Sequence, residues 1–185
     1  ELHGAHGYLL DQFFWADTNN RTDEYGGDIA GRTQMVVEIV KKIKAQCGED
    51  FPVILRFSQW KQQAYDAKLA NTPEELTSFL TPLSDAGVDI FHCSTRRFWE
   101  PEFEGSDLNL AGWTKKITGK TCITVGSVGL NSSFIDEEKR DMVDSSDVAK
   151  DSFENLAARL NNNEFEMVAI GRALLQDPEW VAKVK

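Results

Sequence analysis

Four short apolar runs, residues 52–58, 88–94, 121–127 and 165–170, constrain this chain more than any other feature. They are too short for ordinary helices and nearly continuous in apolar character, which predicts strands buried on both faces. Helical patterns lie between them. Residues 29–46 place Ile29, Met35, Val36, Ile39, Val40 and Ile43 on one face, and Gly48 follows as a stop signal. Thr72-Pro73-Glu74-Glu75 opens a second helix with a Thr cap, a Pro in the first turn and a Glu at the capping-box position. Leu76, Phe79, Leu80 and Leu83 line its inner face and Gly87 ends it. Shorter helices are expected over 110–117 and 152–160, and Asp177-Pro178 punctuates a last helical segment.

Strands alternating with helices through short connections predict a parallel α/β architecture. The residues with chemical character fall just after the strands: His3 to Tyr8, Arg56, Arg96 to Trp99, Gly126-Ser127 and Gly171-Arg172. A (β/α)8 TIM barrel builds its active site on that face. An open doubly wound sheet would too, but it should open a helix with G-x-G-x-x-G, which this sequence lacks. The barrel is the better reading. Four complete strands and the end of a fifth at Glu1-Leu2 are visible, against the eight of a closed barrel. Residues 1–185 are therefore expected to be the C-terminal part of one barrel domain, from the end of strand 4 through strand 8. An isolated half would expose sheet edges. Residues 131–151, with seven Asp or Glu against three Lys or Arg, are expected to be an exposed acidic insertion.

A net charge of −10 argues against nucleic acid or an anionic membrane surface as the main partner. No run approaches the roughly 18 apolar residues of a membrane span, and the start lacks the pattern of a signal peptide. Cys47, Cys93 and Cys122 are scattered and odd in number, as expected of free thiols in a cytoplasmic protein.

Two of the three histidines lie in His3-Gly4-Ala5-His6-Gly7-Tyr8. They could be a donor pair for a substrate oxygen, a metal site, or structural hydrogen-bonders. Catalytic zinc wants three protein ligands, and no nearby acid has an obvious ligand spacing. Tyr8 is a phenol that holds a proton near neutral pH, which suits a general acid, or a core residue with its hydroxyl satisfied. Arg56 closes an apolar strand and needs a partner: an anionic ligand, an electron-rich ring or a structural ion pair. Gly126-Ser127 and Gly171-Arg172 follow successive strands. Backbone N–H groups there, with one Arg, would make a phosphate cradle; otherwise the glycines are ordinary turn residues.

With these residues assembled, the chain resembles the old yellow enzyme family of flavin-dependent ene-reductases over nearly its whole length. The resemblance is carried by His3-Gly4-Ala5-His6-Gly7-Tyr8-Leu9-Leu10, then Asn20-Arg21-Thr22-Asp23-Glu24-Tyr25-Gly26-Gly27 and Arg32. Leu55-Arg56-Phe57-Ser58, Val125-Gly126-Ser127-Val128-Gly129 and Gly171-Arg172-Ala173-Leu174-Leu175-Gln176-Asp177-Pro178 follow in the family's order. The resemblance implies an FMN-binding barrel that uses NADPH or NADH to reduce activated C=C bonds of α,β-unsaturated carbonyl or nitro compounds. It implies that His3 and His6 bind the substrate oxygen and Tyr8 donates the proton. Arg56 would contact the flavin ring, and Gly126, Ser127, Gly171 and Arg172 the FMN phosphate. Partners would be a nicotinamide cofactor and a small activated alkene, and the resemblance leaves room for a homo-oligomer. Two other readings stay open: a phosphate-binding barrel isomerase or aldolase, which should carry a catalytic Lys or Glu at a strand end, and an inactive fragment of the reductase.

Overall fold

The computed structural model describes residues 1–129 and 146–183. Five strands form one parallel sheet in sequence order: β1 (Leu2–His6), β2 (Ile54–Lys61), β3 (Ile90–Ser94), β4 (Thr121–Val125) and β5 (Met167–Val168). Between β1 and β2 lie α1 (Leu9–Phe14), a 3-10 turn (Gly31–Thr33) and α2 (Gln34–Cys47). The later connections carry α3 (Pro73–Asp85), α4 (Leu110–Thr118) and α5 (Ser146–Asn161), and the described chain ends in α6 (Arg172–Gln176) and α7 (Trp180–Lys183). This is a run of successive β/α units of a barrel, as the alternation predicted.

Parallel register explains how one face became core and the other became site. Leu2, Leu55, Phe91 and Cys122 stand in one row across β1 to β4, and Phe57 with Cys93 stands in a second row on the same face. From Leu55 to Cys122 these side chains are fully buried against the helices, together with Val36, Leu76, Phe79 and Leu83. Phe79 of α3 packs edge-on to Phe14 at 4.9 Å and lies 5.5 Å from Phe57, measured between ring centres. The intervening row is His3, Arg56, His92, Ile123 and Met167. Alternate residues of a strand point to opposite faces, so this polar row lies on the face turned away from the helices.

A buried cation closes the end of the sheet opposite the site. Lys44 of α2 donates to the carbonyl oxygens of Glu49 and Phe51 at 2.8 and 2.9 Å and to the Asp89 carboxylate at 2.7 Å. The same carboxylate oxygen accepts the Val53 amide at 2.7 Å, so one contact ties together the entries to β2 and β3. At the other end, Asn109 caps α4 by accepting the Gly112 amide at 2.9 Å and donates to the Phe98 carbonyl at 2.7 Å. A second bond, from Asn109 Nδ2 to Thr124 Oγ1 at 3.2 Å, ties the β3–α4 loop to β4.

Several boundaries differ from the sequence reading. The two histidines lie within β1, not after it, because the ladder to β2 continues as far as a pairing of His6 with Lys61. β2 runs three residues past Ser58; the Gln59 amide exchanges hydrogen bonds with Ala70 at 2.8 and 2.9 Å, which keeps this polar stretch in the sheet. α5 starts at Ser146, inside the stretch expected to be an insertion, and residues 131–145 lie outside the described residues. The last strand shrinks to Met167 and Val168.

Candidate active site

The C-terminal ends of the strands meet at a cleft of about 280 Å³. His6, Arg56, Trp60, Ser94, Ser127 and Arg172 are among the residues lining it, and no Asp or Glu among the described residues does so. Arg96 also lines it, with its guanidinium 4.6 Å from the Tyr65 ring centre. In a chain carrying ten net negative charges, three Arg side chains gathered at one cleft suit an anionic or electron-rich ligand.

Ser94, at the end of β3, is the hub. Its Oγ lies 2.7 Å from His6 Nε2 and accepts from Arg56 Nη2 at 3.3 Å, while its carbonyl accepts the Trp60 indole N–H at 3.2 Å. The His6 ring also stacks on Trp60, with centres 4.5 Å apart. Burial, and then the Arg56 charge, lower the His6 pKa to about 4, so the ring is neutral at ordinary pH. Giving the Ser94 hydroxyl hydrogen to Nε2 places the ring proton on Nδ1, which leaves His6 one N–H to donate.

His3 packs edge-on to His6 at 5.5 Å and tilts toward the Tyr8 ring at 5.3 Å. Partial burial and then Arg56 lower its pKa as well. Tyr8 is half exposed, and its hydroxyl donates to Gln62 Oε1 at 3.3 Å. The structure therefore brings His3, His6 and Tyr8 together as the sequence suggested, but only His6 lines the cleft. His3 and Tyr8 stand at its rim, and Gln62 connects Tyr8 to the lining.

Arg56 reaches the cleft from the polar row of β2. Burial lowers its pKa, and its Nε is buried with no partner among the described residues. Behind it on the same row, His92 Nδ1 lies 2.7 Å from Glu1 Oε2.

The two glycine turns converge at the far end. Gly126 has φ 152°, and a Cβ there would sit 2.7 Å from the Thr95 carbonyl oxygen, so only glycine lets β4 pass so close to the β3 exit. Ser127, with φ 53°, donates to the Arg96 carbonyl at 2.9 Å and accepts from Arg172 Nη2 at 3.1 Å. Gly171 caps α6, and among the described residues a Cβ on it would meet nothing within 4 Å.

Sequence reading missed Trp60, Gln62, Tyr65 and Ser94 as cleft residues. Ser94 carried a signal: like Arg56, it is a polar residue closing an apolar strand. Trp60 was hidden by the premature end given to β2. In the loop singled out beyond β3, Phe98 turns out to be fully buried in the core.

A parallel β/α sheet with an Arg-lined cleft at its strand exits defines a unit of a (β/α)8 barrel. The chain belongs to the NADH:flavin oxidoreductase / NADH oxidase family, whose sequence pattern matches residues 1–185. It is 34% identical over 193 residues to an NADH oxidase of Thermoanaerobacter brockii, covering all of this chain and 26% of that protein. It is 30% identical to an NADPH dehydrogenase of Halalkalibacterium halodurans, covering 97% and 46% respectively. A shorter match of 59 residues at 54% identity links 31% of the chain to 9% of a cinnamate reductase of Clostridium sporogenes. The old yellow enzyme homologue from Zymomonas mobilis shares its fold, with a TM-score of 0.68 at 18% identity over 98% of this chain and 44% of that one. The chain thus spans a quarter to a half of the lengths of its full-coverage relatives. FMN, the cofactor of the family, fits the residues present: the buried Arg56 Nε, without a partner among the described residues, suits an electron-rich ring, and Ser127 with Arg172 beside the Gly171 turn suits a phosphate.

Proposed function

We propose that this chain supplies the phosphate pole and the substrate-oxygen wall of an FMN-dependent ene-reductase driven by NADH or NADPH. One observation carries the reading: a neutral His6, the Arg56 guanidinium and the Ser127–Arg172 pair converge on one cleft. When bound, FMN supplies hydride transfer, from NAD(P)H and on to the β-carbon of an activated alkene. The protein's own groups do the rest. Ser127, Arg172 and the Gly126 and Gly171 backbones hold the phosphate, and Arg56 lies against the ring.

His3 and His6 donate N–H groups to the carbonyl or nitro oxygen of the substrate. Negative charge grows on that oxygen as hydride arrives, and a donor already in place is worth roughly 10²–10³ in rate. Tyr8 then gives its proton to the α-carbon, which completes the addition of one hydride and one proton across the C=C bond. The local match to a protein named cinnamate reductase supports including alkenes conjugated to a carboxyl group among the substrates.

Two measurements test this. The protein is expected to bind FMN more tightly than riboflavin, and Arg172→Ala to erase that difference, because only FMN carries the phosphate. Equal affinity for both in the unmutated chain would rule out the phosphate pole. In the flavin-loaded protein, Tyr8→Phe is expected to leave flavin reduction by NAD(P)H intact and slow alkene reduction by roughly 10²-fold or more. Unchanged alkene reduction would remove Tyr8 as the acid.

A further inference from the structure

The turn leaving β1 is held by two residues that the chemistry above does not use. His6 and Gly7 both have left-handed φ, 64° and 83°. A residue with a Cβ adopts that conformation infrequently and at a cost that surrounding contacts must offset. The three amides of the turn are all satisfied. His6 N–H donates to Ser58 Oγ at 3.0 Å, Gly7 N–H to Asp11 Oδ2 at 2.7 Å, and Tyr8 N–H to the Ala5 carbonyl at 3.3 Å.

Ser58 is fully buried, and its hydroxyl donates to the Trp60 carbonyl at 2.7 Å, which fixes its oxygen as the acceptor toward His6. Asp11 of α1 is also fully buried, and its Oδ1 has no partner among the described residues. A buried carboxyl is costly where an apolar side chain would fill the space. Its hydrogen bond is to the Gly7 amide, and the Trp15 indole and the Lys61 charge lie near enough to favour its ionised form.

We propose that Asp11 and Ser58 are positioning residues that clamp the His6-Gly7 turn in its left-handed form, aiming the His6 ring at Ser94 and carrying Tyr8 beside His3. The clamp works through consecutive amides from two sides, β2 holding His6 and α1 holding Gly7. Either one lost, the turn relaxes toward ordinary extended backbone and the His6 ring leaves its place between Ser94 and Trp60. The importance of the clamp for catalysis rests on the function proposed above; its geometry does not.

The test is an NMR titration of the three imidazoles of the chain. In the unmutated protein His6 is expected to stay neutral down to about 4. Asp11→Leu fills the space without an acceptor, and Ser58→Ala removes a single oxygen. Each is expected to move the His6 titration toward the ordinary 6.5 and to speed hydrogen exchange at the freed amide. Asp11→Asn keeps an acceptor and is expected to restore the unmutated titration. If the Leu variant fails to fold, Ser58→Ala gives the reading.

A His6 titration unmoved in every folded variant overturns the clamp. So does an Asn variant that shifts as far as Leu, since Asn offers the Gly7 amide the same kind of acceptor oxygen. In flavin-loaded protein, Ser58→Ala is expected to slow alkene reduction roughly tenfold to a hundredfold while flavin reduction by NAD(P)H stays fast. If the unmutated protein reduces no alkene, the functional reading falls, and the titration still decides the clamp.

Discussion

At the scale of single residues, the site depends on protonation states that burial sets. His6 has a folded pKa of about 4 against an ordinary 6.5, so the unfolded chain takes up the proton first. The stability this contributes is complete above pH 6.5 and is lost as pH falls from 6.5 toward 4. Allowing for solvent screening at a partly open site, the loss is about 1–2 kcal/mol. His6→Asn is expected to flatten that part of the stability profile, as read from urea midpoints across the window.

Asp11 has the opposite sign. Burial raises its pKa from 3.8 to about 7, against the lowering influence of the Gly7 amide, the Trp15 indole and the Lys61 charge. Its contribution is present below 3.8 and is lost as pH rises through about 7. Asp11→Asn removes the cost of ionising there and is expected to be more stable than the unmutated protein above neutrality, by on the order of 2–4 kcal/mol. Equal stability at alkaline pH would show that Asp11 ionises freely. Both residue types were readable in the sequence. Their pKa values were not, because those depend on what the fold stacks around each ring or carboxyl.

At the scale of elements, two contacts set where strands begin and end. Asp89 joins Lys44 of α2 to the start of β2, and the Lys44 side chain is almost completely buried while Asp89 is partly open. Asp89→Ala would leave the ammonium with carbonyl partners alone and free the Val53 amide. The expected cost is about 2 kcal/mol, scaled down from a fully buried pair because one partner is solvated, and chemical denaturation reads it. At the exit of β4, Gly126→Ala would drive a Cβ into the Thr95 carbonyl at a φ that L side chains rarely adopt. It is expected to destabilise the fold by at least 1–3 kcal/mol, read by thermal unfolding, and to open the phosphate pole. The positions of these elements followed from the apolar runs. Their ends did not: Gln59 to Lys61 look like a polar loop until Ala70 is seen pairing with Gln59.

At the scale of the whole molecule, one guanidinium couples the outer helices to the cleft wall. Arg159 of α5 pairs with Glu164 at 2.7 Å and donates to the carbonyl oxygens of Asp107 at 3.0 Å and Trp99 at 3.2 Å, both in the β3–α4 loop. Arg159→Lys cannot reproduce that fork. It is expected to speed amide exchange over residues 96–99 while leaving the β2–β3 core protected; unchanged exchange would mean that Asn109, Ser127 and the Phe98–Gly126 backbone bond hold the loop without it. Nothing in the sequence pointed to this link, since its partners are backbone carbonyls about fifty to sixty residues away in the chain.

The sequence by itself determined the parallel β/α alternation, the side of the sheet on which chemistry would gather, and the two glycine turns. All three follow from local periodicity and backbone freedom, which a chain carries residue by residue. Only the tertiary structure decided that His6 turns in against Ser94 while His3 and Tyr8 remain at the rim, and that Trp60, Gln62 and Tyr65 join the wall. Those outcomes depend on inter-strand register and on a left-handed histidine held by two distant acceptors. No local pattern encodes either one.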